Sequence, residues 1–518
     1  MIIIFHFNEK ALEAFDYKNN CIVNVNTSKT IQENLVEISL NFKDRFLGWC
    51  NIKLKDKINN KQLPNILLHK KLMISYSITN SYIINNDIGF VDSSPFINIK
   101  YNSNYPTWLM SSDIGFIHSE VIQKFKNSRI KSLFFEEFLC YTAKELMPKG
   151  LICKSFPNLL INIKSENFEF DKKRASNSIL IRFIRNNYKK RWLFLLFLNF
   201  LIYKRKIIVF NILSVYFKRK INNNSINISD IEINSAKEKL KLSDFSIDVL
   251  IPTLGRKQYL LDVLKCLSKQ TILPQKVIII EQNPEKNSKS DLDYISNNWP
   301  FIIDHSFINQ TGACNARNVG LSKVTSNWVF FADDDILFEN NILEKSLNQL
   351  NKLGEECITF SCLQKGEIEK NKTIFQWKTF GSGTSLVKAT LLEDLSFKKE
   401  HEFGYGEDAD YGMQLRKKGV DVIYIPNIKL LHLKAPIGGF RHKHKFDWIN
   451  NKILPKPSPT VMAYNLKHKT EEQLLGYKTI LFLKYYKNQK IINPINYIKT
   501  LNLQWKLSKQ YAKKLING

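Results

Sequence analysis

The stretch that most constrains this chain is Trp328-Val-Phe-Phe-Ala332, which runs without a break into Asp333-Asp334-Asp335. A short, wholly apolar run of aromatic and β-branched residues reads as a strand buried on both faces, the kind found in parallel α/β sheets. Three carboxylates at the end of such a strand repel one another unless solvent or a cation compensates. A hard divalent ion such as Mg²⁺ or Mn²⁺ takes one or two carboxylates together with substrate phosphates, so Asp333 and Asp335, two residues apart, can address a phosphorylated ligand and a metal at once. Taken alone, the triplet reads more simply as a solvated acidic turn after a strand, and the flanking sequence has to decide.

Upstream, Ile247–Ile251 reads as a buried strand closed by Pro252-Thr253-Leu254-Gly255. Tyr259, Leu260, Val263, Leu264 and Leu267 recur at helical spacing, and Val277–Ile280 reads as a second buried strand ending at Glu281. This is a βαβ unit. Downstream, Gly404-Tyr-Gly406 precedes Glu407-Asp408-Ala-Asp410, and Gly419 stops the short helix these acids begin. Strands are predicted over Asp421–Ile425, ending at Pro426, and over Ile428–Leu431, with His432 beyond. Acids in a first helical turn are ordinary capping. Beside a metal–diphosphate site, the same carboxylate can deprotonate an attacking hydroxyl. The imidazole of His432 can serve as a further metal ligand or be structural.

In order and spacing, Asp248-Val-Leu-Ile-Pro-Thr-Leu-Gly-Arg256, Gly312-Ala-Cys-Asn-Ala-Arg317-Asn318-Val-Gly320, Phe331-Ala-Asp-Asp-Asp335 and Tyr405-Gly-Glu-Asp408 resemble family 2 glycosyltransferases of the GT-A fold. The resemblance covers roughly 200 residues and implies a nucleotide-sugar donor, UDP-linked, an Asp-x-Asp metal site, and an inverting single displacement. It implies that Pro252, Thr253, Arg256 and Glu281 surround the base and ribose, with Glu281 standing where the family more often carries Asp. Arg317 then either fixes the nucleotide or braces Asp333. Asp333 and Asp334 meet ribose or sugar, and Asp335, Asp333 and His432 hold Mn²⁺ or Mg²⁺. Asp408 is the base, with Glu407 as supporting acid or alternative, and Gly383 lies in the donor and acceptor loop. The implied enzyme is a hexosyl- or N-acetylhexosaminyltransferase acting on a saccharide or lipid-linked saccharide in surface polysaccharide or glycoconjugate synthesis.

At 518 residues, the chain has room for two to four domains of ~100–200 residues each. The fold class is α/β: a GT-A (Rossmann-like) catalytic domain over 246–445, a second α/β domain of similar, degenerate fold over 1–170, a basic apolar segment and linker over 171–245, and a helical C-terminal segment over 446–518. The echo in 1–170 rests on Phe134–Leu146, Gly150 and the strand-like residues before Pro157, which mirror the pattern at Glu407–Pro426. Where a metal motif would stand, Phe46-Leu-Gly-Trp-Cys-Asn51-Ile-Lys53 lacks the carboxylates. Residues 1–170 are therefore expected to dock on the later domain or orient acceptor for it, without catalysing transfer.

The net charge of +28 invites a nucleic-acid reading, but the charge sits elsewhere. Residues 171–220 carry 14 Lys or Arg against one Asp, and 451–518 carry 13 against two Glu. Both interleave the charge with bulky aliphatics, as interfacial helices on anionic lipid do, and no nucleic acid is expected. The apolar run Trp192–Tyr203 is too short to span a bilayer. Met1-Ile-Ile-Ile-Phe reads as a first strand, not an export signal. The eight cysteines form no Cys-x-x-Cys pair, consistent with a reducing compartment. The expected location is cytoplasmic, peripheral on the inner face of the cell membrane; a helix pair packing against the α/β domains is the alternative for 192–217.

Overall fold

A computed structural model describes residues 1–126, 133–161, 176–217, 221, 226–436 and 444–518. Its contacts divide the chain into two units: Met1–Lys237 with Lys469–Lys484, and Glu238–His468 with Tyr485–Gly518.

The first unit is built on strands β1 (Ile2–Phe7), β2 (Lys10–Asp16), β3 (Cys21–Val23), β4 (Phe46–Asn51), β5 (Leu72–Tyr76), β6 (Tyr105–Pro106), β7 (Ile114–His118) and β8 (Ile152–Ser155), in the order β3-β2-β1-β4-β7-β5-β8-β6. The second is built on β9 (Ile247–Thr253), β10 (Lys276–Gln282), β11 (Ile302–Ile308), β12 (Trp328–Ala332), β13 (Ile336–Phe338), β14 (Cys357–Gln364), β15 (Phe375–Gln376), β16 (Thr384–Lys388) and β17 (Ile423–His432). Its order is β11-β10-β9-β12-β16-β14-β17-β13, with β15 paired to β17.

Five consecutive strands of the two sheets share one topology. β1 and β4 are parallel, β7 runs antiparallel to both β4 and β5, and β5 and β8 are parallel. β9, β12, β16, β14 and β17 repeat that pattern in the same chain order. The units differ beside the first of these strands. In the second unit, parallel β10 and β11 complete the βαβ arrangement, whereas in the first the antiparallel β2 and β3 take their place.

The structure differs from the sequence expectations at Pro426 and in the bounds of two segments. The predicted break at Pro426 is a bulge within one strand, β17: Ile425 pairs with Phe360 and Lys429 with Ser361, so the residues between are spare and Pro426 needs no ladder donor. His432 is consequently the last residue of β17. The segment set apart as 171–245 is divided at Lys237, because the Asn177–Asn187 and Arg191–Asn199 helices bury Ile179, Leu180, Phe183, Leu193 and Leu196 in the core of the first unit. The C-terminal region is helical (Pro459–His468, Glu471–Tyr486, Pro494–Asn517), but residues 469–484 belong to the first unit.

In the second unit, Val329 and Phe331 of β12 are fully buried against Tyr411 and Leu415 of the Glu407–Lys417 helix. Phe397 stacks on Tyr411 with ring centroids 4.2 Å apart. Each such side chain contributes about 1.5–3 kcal/mol of burial, which fixes the acid-bearing helix against the strand that delivers the aspartates.

Candidate active site

The carboxyl ends of β9 and β12, the Gly381–Thr384 turn, the start of the Glu407–Lys417 helix and the end of β17 converge on a cleft of about 390 Å³. Ligands of open α/β sheets bind at these strand ends. Every site residue expected from the sequence lines the cleft except Glu281. Successive strand residues face opposite ways, so Gln282 reaches the cleft while the Glu281 carboxylate lies 2.8 Å from His305 Nε2.

The three aspartates have separate environments. Asp334 is buried and accepts from Thr253 Oγ1 at 2.7 Å and Arg256 Nη1 at 2.6 Å. Burial pushes its carboxyl up to about 6 despite the guanidinium. Asp334 thus works as an internal brace that ties β9 to β12, and Arg256 faces the aspartates. Asp335 accepts the Ala435 N–H at 2.9 Å through Oδ2, and its Oδ1 lies 3.4 Å from His432 Nε2. Burial alone would raise the Asp335 carboxyl, but His432, the Ala435 N–H and Arg256 outweigh it and hold it below the usual range. Asp333 is the most accessible of the three and accepts from Arg317 Nη2 at 3.1 Å. Arg317 is buried, with its guanidinium 5.4 Å from the Phe397 ring centroid.

Gly383 is required by close approach, since a Cβ there would fall 2.1 Å from the Asp333 carboxylate. Gly383→Ala is expected to displace Asp333 and weaken donor binding at least tenfold, with a stability loss of about 1–3 kcal/mol from overpacking. Titration of the variant with a nucleotide sugar, alongside thermal unfolding, checks both.

Across the cleft, Asp408 Oδ1 accepts the Ser382 N–H at 3.1 Å. Desolvation raises the Asp408 carboxyl, opposed by Arg317 and the Ser382 contact. Glu407 is pushed up to about 7, by burial first and then by repulsion from Asp408. Gly406, at φ +125°, opens the helix, and Asp410 anchors it through His468 Nε2 at 2.6 Å. The arrangement presents an acceptor-type carboxylate with elevated proton affinity opposite an Asp-rich wall, which suits general-base chemistry.

Asp335 and His432 fit a divalent ion. Two neighbouring ligands at 2.0–2.1 Å in an octahedron lie about 3 Å apart, close to the 3.4 Å observed. Asp333 is drawn toward Arg317 instead. Among the described residues, the three-ligand cluster compact enough for one ion is Asp44, His118 and Glu120 in the first unit. There Lys70 Nζ already lies 2.7 Å from Asp44 and 2.6 Å from Glu120.

Sequence reasoning missed Glu402, which accepts the N–H groups of Cys314 at 3.0 Å and Asn315 at 2.8 Å. It caps the Ala313–Leu321 helix that carries Arg317. No local pattern links residues so far apart in the chain. Ser382 was missed too, although its place between Gly381 and Gly383 marked a tight turn.

Residues 248–404 match the family described as Glycosyl transferase family 2. The chain is similar to the GalNAc(5)-diNAcBac-PP-undecaprenol beta-1,3-glucosyltransferase of Campylobacter jejuni, at 24% identity over 33% of this chain and 60% of that protein. It is also similar to an uncharacterized glycosyltransferase of Haemophilus influenzae, at 27% identity over 20% of this chain and 35% of that one. The match thus spans less than two thirds of either relative. Among solved structures, S. aureus TarS 1-349 is similar with a TM-score of 0.35 and 14% identity, over 52% of this chain and 91% of that one. The family match starts at β9, takes in the aspartate triplet and the Gly381–Thr384 turn, and stops just short of the acidic helix: this chain carries a family 2 glycosyltransferase domain.

Proposed function

We propose that the protein is an inverting glycosyltransferase that moves a sugar from a nucleotide-sugar donor to a saccharide or lipid-linked saccharide hydroxyl. The observation that carries this reading is the placement of Asp408, a carboxylate with raised proton affinity, in one cleft with Asp333, Asp335 and His432. Asp408 accepts the acceptor hydroxyl's proton as the oxygen attacks the anomeric carbon. Asp333, held by Arg317, receives ribose or sugar hydroxyls. Pro252 and Thr253 border the nucleotide, and Gly383 lets backbone approach the donor. Asp335 and His432, with Asp333 nearby, would hold Mn²⁺ or Mg²⁺. When bound, the metal supplies positive charge to the departing diphosphate. A UDP-linked hexose or N-acetylhexosamine is the donor class, and the lipid-linked acceptor follows the name of the Campylobacter relative. Surface polysaccharide or glycoconjugate synthesis is the corresponding role. Product analysis by NMR, with a nucleotide sugar of known anomeric configuration, should show inversion; retained configuration would contradict the single displacement.

The reading extends to a membrane surface. Among the described residues, no helix is long and apolar enough to cross a membrane. Residues 191–217 nevertheless leave Phe194, Ile202, Ile207, Phe210 and Phe217 more than half exposed, beside Arg191, Lys204, Arg205 and Lys206. Exposed apolar side chains with flanking basic residues suit an anionic lipid interface, where each Lys or Arg contributes about 1 kcal/mol. The protein is expected to float with anionic liposomes at low salt and to be released in part at high salt. No flotation at either salt concentration would return these helices to a purely packing role.

A further inference from the structure

The first unit has a larger cleft of its own, about 870 Å³, and strand register puts it at the place the candidate active site occupies in the second unit. Cys50 pairs with Ile114, the first residue of β7, as Ala332 pairs with Thr384, the first residue of β16. Asn51-Ile52-Lys53 therefore stands where Asp333-Asp334-Asp335 stands, and Ser112 where Ser382 stands. The helical acid is retained. Glu136 is the second residue of the Phe135–Leu146 helix, as Asp408 is of the Glu407–Lys417 helix. Glu136 Oε2 accepts the Ser112 N–H at 3.3 Å, the same contact that Asp408 makes with Ser382. The carboxylates of Asp333 and Asp335 are not retained at these positions, and Lys53, in register with Asp335, places its ammonium 5.3 Å from the Phe7 ring centroid.

The charge of the lining selects the ligand. Among the described residues, Glu9, Asp87, Asp113, Glu136 and Glu472 line the cleft, against the single ammonium of Lys204, which lies 3.1 Å from Asp87. Among the described lining residues, no guanidinium offsets the carboxylates that a nucleoside diphosphate would meet. Asn8, Asn51, Asn80, Asn85 and Asn86 share the lining with these acids. Tyr82 is also in the lining, and its hydroxyl is buried without a hydrogen-bond partner among the described residues. Amides give paired donors and acceptors and carboxylates accept, which matches the alternating hydroxyls of a sugar ring and disfavours an anion. We infer that this cleft is a second binding site, for an uncharged saccharide, built on the transferase topology with the metal ligands replaced.

The site goes beyond the transfer reading, and its test reads binding. Saturation-transfer NMR on the full chain would use neutral tetrasaccharides of glucose, galactose, mannose and N-acetylglucosamine as probes, with UDP as the anionic control. At least one tetrasaccharide should bind at millimolar concentration, and its binding should persist in Asp335→Asn and Asp408→Asn. Asn86→Trp, a substitution at an exposed position that fills the cleft, should weaken it about tenfold. Tyr82→Phe, which removes only the unpartnered hydroxyl, should weaken it to a smaller extent. UDP binding should be unchanged by Asn86→Trp. Absence of binding by every tetrasaccharide, binding indifferent to both first-unit substitutions, binding lost with Asp335→Asn, or UDP binding weakened by Asn86→Trp would each overturn the assignment. Absent donor turnover would sink the transfer reading and leave this one standing.

Discussion

Asp408→Asn is expected to lower sugar transfer by ~10²–10⁴-fold while nucleotide-sugar affinity stays within a few fold, since the amide cannot accept the acceptor's proton. The amide oxygen can still accept the Ser382 N–H, so the turn and the helix start should hold. The same residue sets the pH dependence. Because desolvation raises the Asp408 carboxyl, transfer should be complete at high pH and be lost as pH falls through a value above the ordinary Asp range of ~3.9. Glu407, pushed up to about 7, is largely protonated below neutrality, which suits a supporting acid better than a base. A kcat–pH profile of wild type and Glu407→Gln checks both points. A dead Glu407→Gln beside an active Asp408→Asn would exchange the roles.

Asp335→Asn is expected to reduce transfer by orders of magnitude with the fold intact, by removing the charge that faces His432 and the cation. The substitution keeps shape and leaves an oxygen to accept the Ala435 N–H. Arg256 retains Asp334 as its partner at 2.6 Å, so no guanidinium is stranded. Calorimetric titration with Mn²⁺ should show binding to wild type in the presence of UDP and none to the variant. Full activity in excess chelator would remove the metal from the account.

What the sequence revealed and what it hid have a common physical cause. β9, β10 and β12 were legible because strands buried on both faces are mostly apolar, and the acids at the ends of β10 and β12 then stand out. The acidic helix was legible from Gly406 and Gly419, whose positive φ few other residues adopt. Which of Glu281 and Gln282 lines the cleft depends on the phase of the pleat, which the family pattern does not carry: Gln282 lines it, and Glu281 meets His305. β17 survives Pro426 because a bulge absorbs it, a feature of pairing with β14 and not of local sequence. The basic segment 171–220 looked separate because 14 Lys or Arg stand there against one Asp, while the apolar residues that dock its helices in the first core are interleaved with that charge at helical spacing. Replacement of the β10–β11 layer by the β2–β3 hairpin in the first unit left no sequence mark beside the retained acidic helix.

The central claim is that the second unit's cleft activates a nucleotide sugar through its aspartates. The most direct measurement is release of nucleoside diphosphate by the purified full chain over a panel of nucleotide sugars, with and without Mn²⁺. The account predicts turnover of at least one donor, UDP-linked first among them, that requires the divalent ion and falls by orders of magnitude in Asp335→Asn. No turnover of any donor with Mn²⁺ and saccharide acceptors present, or turnover that Asp335→Asn leaves untouched, would contradict it.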